Sequence, residues 1–311
     1  MSDQNIGELL AEVTRSGVVE SVHTGHLVML NSDGSIHLTR GNPDLLVYPR
    51  SAIKSIQAAA MVRHGLDLES RLLALVCSSH SGSEDHMNGA REILAKAGLD
   101  ESALQNAFGS PIGEPEKKAW AGKPDTRIAM NCSGKHSGML LTCVTNGWPT
   151  ENYLDHSHPL QVAAREELEL LAGEKVTVTS TDGCGAPLFL ISMMGMARAI
   201  RAITISTDPI HQRVVEACRS NPIMVGGIGR HPTVLMEKVP GLFMKDGAEA
   251  VEIISLADGR TIVFKIADGN NRALPTLAHA ALAEFGVTYD FEPVKIMGGA
   301  SVVGTIRATI N

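Results

Sequence analysis

The segment 48–54, YPRSAIK, separates two different patterns in this chain of 311 residues. Before it, apolar and polar residues alternate on both sides of Asn31–Gly34 (NSDG), which is typical of two antiparallel strands joined by a hairpin turn. After Pro49 the residues are mainly small or apolar, and no helix breaker occurs before Gly65. The sequence therefore predicts a sharp change from strand to helix next to Ser51.

The same two patterns extend over the whole chain. Helical patterns follow at about 67–77, 86–97, 135–145, 159–172, 186–200 and 209–219. Alternation returns from Gly241, and a helix near 271–285 and a strand near 301–309 complete the chain. We predict one α+β domain over 1–311, in which residues 1–50 and 241–311 build one antiparallel sheet. The mainly helical region 51–240 is inserted between them, and the active site is expected where the two parts meet.

Composition and charge exclude several functions. The 27 Lys and Arg residues against 34 Asp and Glu give a net charge of −7, which argues against a partner that is a nucleic acid or an anionic membrane. The most apolar run, 188–197, is shorter than the about 20 residues that cross a bilayer, and no signal peptide is visible. The cysteines are too few, too scattered and odd in number for a disulfide framework, so we expect a reducing, cytoplasmic location. They are Cys77, Cys132, Cys143, Cys184 and Cys218.

Ser51 and Lys54 are the first residues that could carry chemistry. Three positions apart at a helix start, they share one face, and a lysine that loses its proton on burial can activate a serine. The alternative is a helix cap followed by a surface lysine, because a Ser-x-x-Lys pattern is common by chance. The position directly after a strand favours the functional interpretation.

Three further segments combine small residues with reactive ones. Ser79 and His80 follow an apolar helix in CSSH, Cys132 and Lys135 lie in NCSGKH, and Cys184 lies in the turn TDGC. Two thiolates and a third ligand would make a tetrahedral zinc site with one open position, but no Cys-x-x-Cys pair supports this, and buried structural thiols are the alternative.

Lys265 interrupts the apolar strand pattern of 261–266. Such a lysine lies either on the solvent face or in the interior, where it needs a partner. If it is buried near Ser79, that hydroxyl or a carboxylate would be the partner.

Taken together, these segments resemble the asparaginase II family, the rhizobial-type L-asparaginases. The stretches GNPD…YPRSAIK, CSSH, NCSGKH, TDGC, KIADGN and MGGASVVGTIRA occur in family order over most of the chain. The resemblance implies a fold similar to that of serine β-lactamases and glutaminases. It implies the catalytic pairs Ser51 with Lys54 and Ser79 with Lys265, the zinc ligands Cys132, Lys135 and Cys184 with water in the fourth place, and His136 and Asp182 beside the substrate or metal. Because an acidic chain does not attract an amino acid, the affinity for substrate must come from local groups such as Arg50.

The activity implied by the resemblance is hydrolysis of L-asparagine to L-aspartate and ammonia. Lys54 would take the proton of Ser51, Ser51 would attack the carboxamide, and the Ser79 and Lys265 network would protonate the leaving ammonia. The family also implies one zinc ion per chain and a homodimer. Which serine attacks, and whether zinc serves activity or structure, stay open at this point.

Three alternatives also stay open. A penicillin-recognising hydrolase is disfavoured because Lys265 is followed by Ile-Ala-Asp and not by the Thr-Gly of that group. A glutaminase is harder to separate, since one methylene changes binding by only about 1–3 kcal/mol. A protein of another class, a zinc-stabilised binder of amino acids without turnover, would share the same residues.

Overall fold

The computed structural model describes residues 6–310, and its largest element is an antiparallel sheet made from both ends of the chain. The strand order in this sheet is β11-β12-β1-β2-β10-β9-β8, with β3 also paired to β2. The described strands are β1 Glu8–Arg15, β2 Val18–Leu30, β3 Ile36–Arg40, β4 Leu46–Val47, β5 Thr179–Thr181, β6 Pro187–Phe189, β7 Ile191–Ser192, β8 Phe243–Gly247, β9 Val251–Ser255, β10 Thr261–Ile266, β11 Lys295–Gly298 and β12 Ser301–Ala308. The predicted α+β class is confirmed.

Strand β2 joins the two ends of the chain because it pairs on both of its edges. Its first half pairs with β1, and its second half pairs with β3 on one side and β10 on the other. The predicted hairpin turn is present, with Gly34 N donating to Asn31 O at 3.0 Å and Asn31 N to Ser35 O at 2.8 Å. Val263 pairs with Val28, so residues far apart in the chain form the centre of the sheet.

Helices fill the middle of the chain, as the sequence predicts. They are α1 Lys54–Arg63, α2 Ser70–Val76, α3 Glu84–Lys96, α4 Glu114–Trp120, α5 Ser133–Asn146, α6 Pro159–Ala172, α7 Met193–Ile205, α8 Pro209–Ser220, α9 Pro222–Val225, α10 His231–Lys238 and α11 Leu274–Glu284. Within residues 6–310, no helix is both long and apolar enough to cross a membrane.

The prediction of a helix over 186–200 is wrong in its first part. Residues Pro187–Phe189 and Ile191–Ser192 are short strands that pair with β5 and β4, and the helix begins only at Met193. Ser192 Oγ accepts a hydrogen bond from Gly195 N at 2.8 Å and caps this helix. An apolar run fits a buried strand as well as a buried helix, so periodicity could not separate the two.

Three helices and one strand had no counterpart in the sequence analysis: α4, α9, α10 and β11. Helix α4 has no buried residue, so its sequence lacks the apolar stripe by which a helix is recognised. Helices α9 and α10 and strand β11 are only four, eight and four residues long, which is too short for a clear periodic pattern.

Helix α1 is the central helix of the inserted region, and residues 54–61 are all buried. Its run of three alanines, Ala58–Ala60, presents small side chains, so neighbouring helices can approach it closely. Helices α5, α6 and α8 contact it. A side chain at the start of α1 therefore points into protein and not into solvent.

A buried ion network ties α1 to α6 and α8. Glu167 accepts hydrogen bonds from Arg63 Nε at 2.9 Å and lies 2.5 Å from His211 Nε2. Burial disfavours the charged carboxylate, but the bonds to His211 and Arg63 outweigh it and lower the pKa of Glu167 to about 2, from 4.5. The carboxylate therefore stabilises the fold above about pH 4.5, and this contribution is lost as the pH falls towards 2.

We predict that Glu167→Gln lowers the free energy of unfolding by about 2–3 kcal/mol at pH 7, since one pKa unit corresponds to about 1.4 kcal/mol. The difference from the unmodified protein should shrink at pH 3, where the carboxylate has lost part of its advantage. Urea denaturation at both pH values measures this. Glu166→Gln, one residue away and exposed, is the control. An equal loss of stability at pH 3 and pH 7 would contradict the prediction.

Candidate active site

Residues Arg50–Ile53 form a short 3-10 turn between β4 and α1, which we call the Ser51 turn. Arg50 has a φ of 52°, in the left-handed region that costs energy for any residue other than glycine. Ser51 is half-buried. The predicted change from strand to helix is thus present, and the backbone is strained directly before the candidate nucleophile.

The end of β8 lies against this turn. A Cβ atom added to Gly247 would lie 2.9 Å from Pro49 O and 3.4 Å from Arg50 Cβ. Glycine at this position is required because the two backbones approach so closely. The contact brings the last residues of β8 to the seam between the sheet and the helices.

Lys54 is 1% exposed and makes the central contacts of the site. Its Nζ donates to Ser79 Oγ at 3.2 Å, to Cys132 Sγ at 3.2 Å and to the carbonyl oxygen of Ser78. Among residues 6–310, no hydrogen bond joins Lys54 to the Ser51 hydroxyl. The structure therefore brings Lys54 together with Ser79, whereas the sequence paired it with Ser51.

The structure does not bring Lys265 to Ser79. Lys265 Nζ donates to Glu249 O at 2.6 Å and to Ile266 O at 2.9 Å. It lines a cavity of about 340 Å³ together with Tyr48 and Arg50. The turn between β8 and β9 and the end of β10 supply these two carbonyl oxygens, so the expected pair of Ser79 and Lys265 is absent.

Lys245 on β8 is the lysine that the sequence analysis missed. It is 1% exposed, and its Nζ donates to the carboxylate and to the carbonyl oxygen of Asp246. Burial lowers the pKa of Lys245, Asp246 opposes this and Lys54 adds to it, so that the pKa is about 8, against 10.5 for a free lysine. A pKa near neutrality suits a group that must both take and give a proton.

A signal for Lys245 was present in the sequence. Lys245-Asp246-Gly247 follows the apolar pair Phe243 and Met244, and it has the Lys-x-Gly form of the strand motif found beside Ser-x-x-Lys in penicillin-recognising enzymes. The middle residue is Asp and not Thr. The sequence analysis looked for that motif only at Lys265.

Cys132, Lys135 and Cys184 converge in the interior. Lys135 Nζ lies 3.2 Å from Cys184 Sγ, and Lys54 Nζ lies 3.2 Å from Cys132 Sγ. The neighbouring Cys132 thiol, together with the charge of Lys135, lowers the pKa of Cys184. Burial disfavours the Lys135 ammonium, but the charges of Cys184, Cys132 and Asp182 outweigh it and raise the pKa of Lys135.

His136 and Tyr153 complete one side of this group. His136 Nδ1 lies 2.8 Å from the Tyr153 hydroxyl, and no hydrogen bond is formed by its Nε2, which is buried. Burial lowers the pKa of His136, so the ring is neutral at pH 7. Tyr153 was missed because a single tyrosine in a loop carries no pattern.

Arg50 and Asp182, both predicted to lie beside the substrate, form an ion pair. Arg50 Nε donates to Asp182 Oδ1 at 2.7 Å, and their side chains are 23% and 11% exposed. Asp182 Oδ2 lies 3.8 Å from Cys184 Sγ. The pair therefore connects the Ser51 turn to the thiol group.

The chain matches one protein family and is similar to several solved structures. A family model described as L-asparaginase II matches residues 11–305, and no curated protein matches the chain significantly. Among solved structures, the chain is similar to one described as Mglu in its native form in the presence of 4.3 M NaCl, with 15% identity, a TM-score of 0.46, and coverage of 89% of this chain and 63% of that one. A second Mglu structure has 15% identity, a TM-score of 0.36, and coverage of 89% and 66%.

A β-lactamase from Mycobacterium bovis has 14% identity, a TM-score of 0.38, and coverage of 85% of this chain and 95% of that one. The chain thus spans about two thirds of the length of the Mglu structures. At these TM-scores, none of the three likenesses carries an argument about activity.

A buried group of serine, lysine and cysteine side chains at the seam of a sheet and a helical region is the arrangement of an enzyme active site. The chain belongs to the L-asparaginase II family, since the match spans nearly all of it. This membership supports an amidohydrolase of the asparaginase type.

We predict that Gly247→Ala lowers kcat/KM about tenfold or more, because the added methyl group pushes β8 away from the Ser51 turn. The free energy of unfolding should fall by about 1–3 kcal/mol. Gly89→Ala is the control, since its Cβ would lie 2.8 Å from Leu75 Cδ2, a flexible side chain outside the site. Steady-state kinetics of the folded protein measure this effect. Full activity in both variants would contradict the prediction.

Proposed function

We propose that this protein is an L-asparaginase that hydrolyses L-asparagine to L-aspartate and ammonia through an acyl-enzyme formed on a serine. The observation that carries the proposal is the fully buried Lys54 amine, 3.2 Å from the Ser79 hydroxyl at the base of the Ser51 turn. Membership of the L-asparaginase II family supports the choice of substrate.

In the proposed reaction Ser51 is the nucleophile. Its oxygen attacks the side-chain carboxamide carbon of L-asparagine, and its proton passes through the Ser79 hydroxyl to the Lys54 amine. The C–N bond then breaks and ammonia leaves with a proton returned to its nitrogen. Water attacks the resulting aspartyl ester, releases L-aspartate and restores the Ser51 hydroxyl.

Lys245 takes the role that the resemblance gave to Lys265. Its amine is buried, electrostatically coupled to Lys54, and has a pKa of about 8, so it can supply the proton for the leaving ammonia. Lys265, held by two backbone carbonyl oxygens beside Arg50, is better placed at the mouth of the site.

The two ends of asparagine suit the charges of Arg50 and Asp182. The guanidinium can bind the α-carboxylate and the Asp182 carboxylate can bind the α-ammonium. His136 adds a neutral ring beside Cys184, two residues after Asp182. These groups supply the local affinity that a protein of net charge −7 does not supply for an amino acid.

The residues present fit a zinc ion. Two sulfur donors and one amine converge, and an ion would replace the proton that Lys135 carries in its absence. Within residues 6–310 no cluster of three or more His, Cys, Asp and Glu side chains is placed to hold a metal, so the zinc proposal relies on Lys135 as the third ligand. Zinc bound by Cys132, Lys135 and Cys184 would polarise and orient the polar groups of the substrate.

A glutaminase and a non-catalytic amino-acid binder remain the alternatives. The glutaminase shares the mechanism, because the pocket must distinguish only one methylene. A binder would use Arg50 and Asp182 but would not require the buried amines of Lys54 and Lys245 beside a serine.

The first test is ammonia release by the purified protein from L-asparagine and L-glutamine. We expect release from asparagine, and loss of about 10³-fold or more in kcat with Ser51→Ala, as expected for loss of a nucleophile. Val18→Ala, at an exposed position of β2, is the control for expression and folding. Binding of asparagine without ammonia release would instead establish the binder.

Mass spectrometry of rapidly quenched reactions identifies the attacking serine. An aspartyl adduct on Ser51 that is still formed by Ser79→Ala would support Ser51. An adduct on Ser79 that persists in Ser51→Ala would transfer the role to Ser79.

Metal analysis tests the zinc proposal. We expect about one zinc ion per chain, lost on Cys132→Ser or Cys184→Ser and retained by Cys143→Ser, whose thiol is buried in apolar surroundings. Zinc affinity should fall as the pH is lowered, because the ligands take up protons. A metal-free protein with full activity would contradict this proposal.

Two expectations from the resemblance and the composition stay predictions. The homodimer is an expectation from the family. Three exposed apolar residues at one end of the sheet could be covered by a second copy: Val18, Val22 and Val302. The cytoplasmic location rests on the scattered cysteines, all five of which are free and buried.

A further inference from the structure

Arg230 lies outside every motif that led to the proposed function, yet it contacts two parts of the site. It directly precedes helix α10, and its side chain is 22% exposed. Its Nη1 donates to the carbonyl oxygen of Ser79 and, at 3.2 Å, to that of Gly226. Its Nη2 donates to Asp246 Oδ2 at 2.9 Å. One guanidinium thus joins strand β8 to the loop 77–83 between α2 and α3, which we call the Ser79 loop.

The Asp246 carboxylate is shared between two cations. Oδ1 accepts from Lys245, while Oδ2 accepts from Arg230. Burial disfavours this carboxylate, but Lys245 and Arg230 outweigh it and hold the pKa of Asp246 well below its usual range. Asp246 therefore stays charged, and Arg230 draws part of its charge away from Lys245.

The backbone just before Arg230 packs closely against the Ser79 loop. Ser79 N donates to Val225 O at 3.1 Å. Gly227 has a φ of 122°, and a Cβ there would lie 2.5 Å from Ser81 Cβ. Only glycine permits this approach, which delivers the Arg230 guanidinium to the Ser79 carbonyl.

We propose that Arg230 is a positioning residue, which fixes the Ser79 loop against β8 and, through Asp246, sets how readily Lys245 gives up its proton. The inference rests on the proposed function. It assigns Arg230 no contact with substrate.

The pKa of Lys245 depends on charged groups from each neighbouring element. Asp246 on its own strand favours its protonated form, and Lys54 from α1 and Arg230 disfavour it. The Cys77 thiol at the end of α2 also lies near it, and the neighbouring Cys218 thiol together with burial raises the pKa of Cys77, so it is neutral. His231 and Glu252 form an ion pair behind Asp246 at 3.3 Å and line a cavity of about 170 Å³ with Arg230.

Removing Arg230 should make Lys245 hold its proton more tightly. The cation no longer repels the ammonium, and the whole charge of Asp246 acts on it. Activity falls at high pH, where Lys245 loses the proton that it supplies to the leaving ammonia, so this alkaline limb of the pH–kcat profile should then move to higher pH. Asp246→Asn removes the opposing charge and should move the limb to lower pH.

The experiment compares Arg230→Met, Arg230→Lys and Asp246→Asn by ammonia release from L-asparagine between pH 5 and pH 10. For Arg230→Met we expect kcat about tenfold lower, a limb about half to one pH unit higher, and KM within about twofold. Arg230→Lys keeps the positive charge but loses the planar guanidinium that bonds Ser79 and Asp246 at the same time. The limb should therefore stay in place while kcat falls. Opposite limb shifts for Arg230→Met and Asp246→Asn support the inference.

Arg213→Met is the matched control. Its guanidinium also bridges a carboxylate and a backbone carbonyl, Asp67 Oδ1 at 2.6 Å and Leu68 O at 2.7 Å, but on α8. It should leave the pH profile unchanged. A lower free energy of unfolding in Arg230→Met with an unshifted limb would overturn the inference, since that is the result of a purely structural role.

A second measurement separates this inference from the proposed function. Titration of Lys245 by NMR of ¹⁵N-lysine-labelled protein needs no substrate, with Lys245→Met used to assign the signal. If asparagine releases no ammonia, the proposed function fails, and a higher Lys245 pKa in Arg230→Met would still support the inference. An equal Lys245 pKa in both proteins would overturn it.

Discussion

The buried amine of Lys54 is the constraint on which the rest of the site depends. A lysine in the interior is stable only with several hydrogen-bond partners, and here these come from the Ser78–Ser79 loop and from Cys132. The small residues of α1 allow the surrounding helices to exclude water from it. The segments CSSH and NCSGKH are therefore held together by one side chain from a third segment.

A second constraint is the close contact between β8 and the Ser51 turn. Gly247 admits the backbone of Pro49 and Arg50, and this places Lys245 on the same side as Lys54. Burial, with a smaller contribution from the Lys54 amine, outweighs the opposing charge of Asp246 and lowers the pKa of Lys245 to about 8. The sheet and the inserted helices thus each supply one lysine to the site.

Charge balance decides how the site is arranged around these amines. Asp246 and Arg230 lie on one side of Lys245, and the pair of Arg50 and Asp182 lies towards the thiols. Each cation near the serines has an anion or a set of carbonyl oxygens beside it. This satisfies buried charges, whose unpaired burial would cost several kcal/mol each.

The sequence by itself determined the α+β class, the sheet built from both termini and most of the helices, because periodicity reflects which face of each element is buried. It also identified Lys54, Ser79, Cys132, Lys135 and Cys184, which the fold brings together. It failed where burial leaves no local pattern, as in the strands before α7 and the mainly exposed α4.

Only the tertiary structure decided which strand lysine is buried near Lys54. Lys245 and Lys265 both interrupt apolar strands, and the sequence favoured Lys265 because KIADGN resembles a family motif. Strand β8 lies at the edge of the sheet against the Ser51 turn, whereas the end of β10 does not, so only Lys245 is enclosed. That difference depends on strand order across some two hundred residues of intervening chain, and no short stretch of sequence contains it.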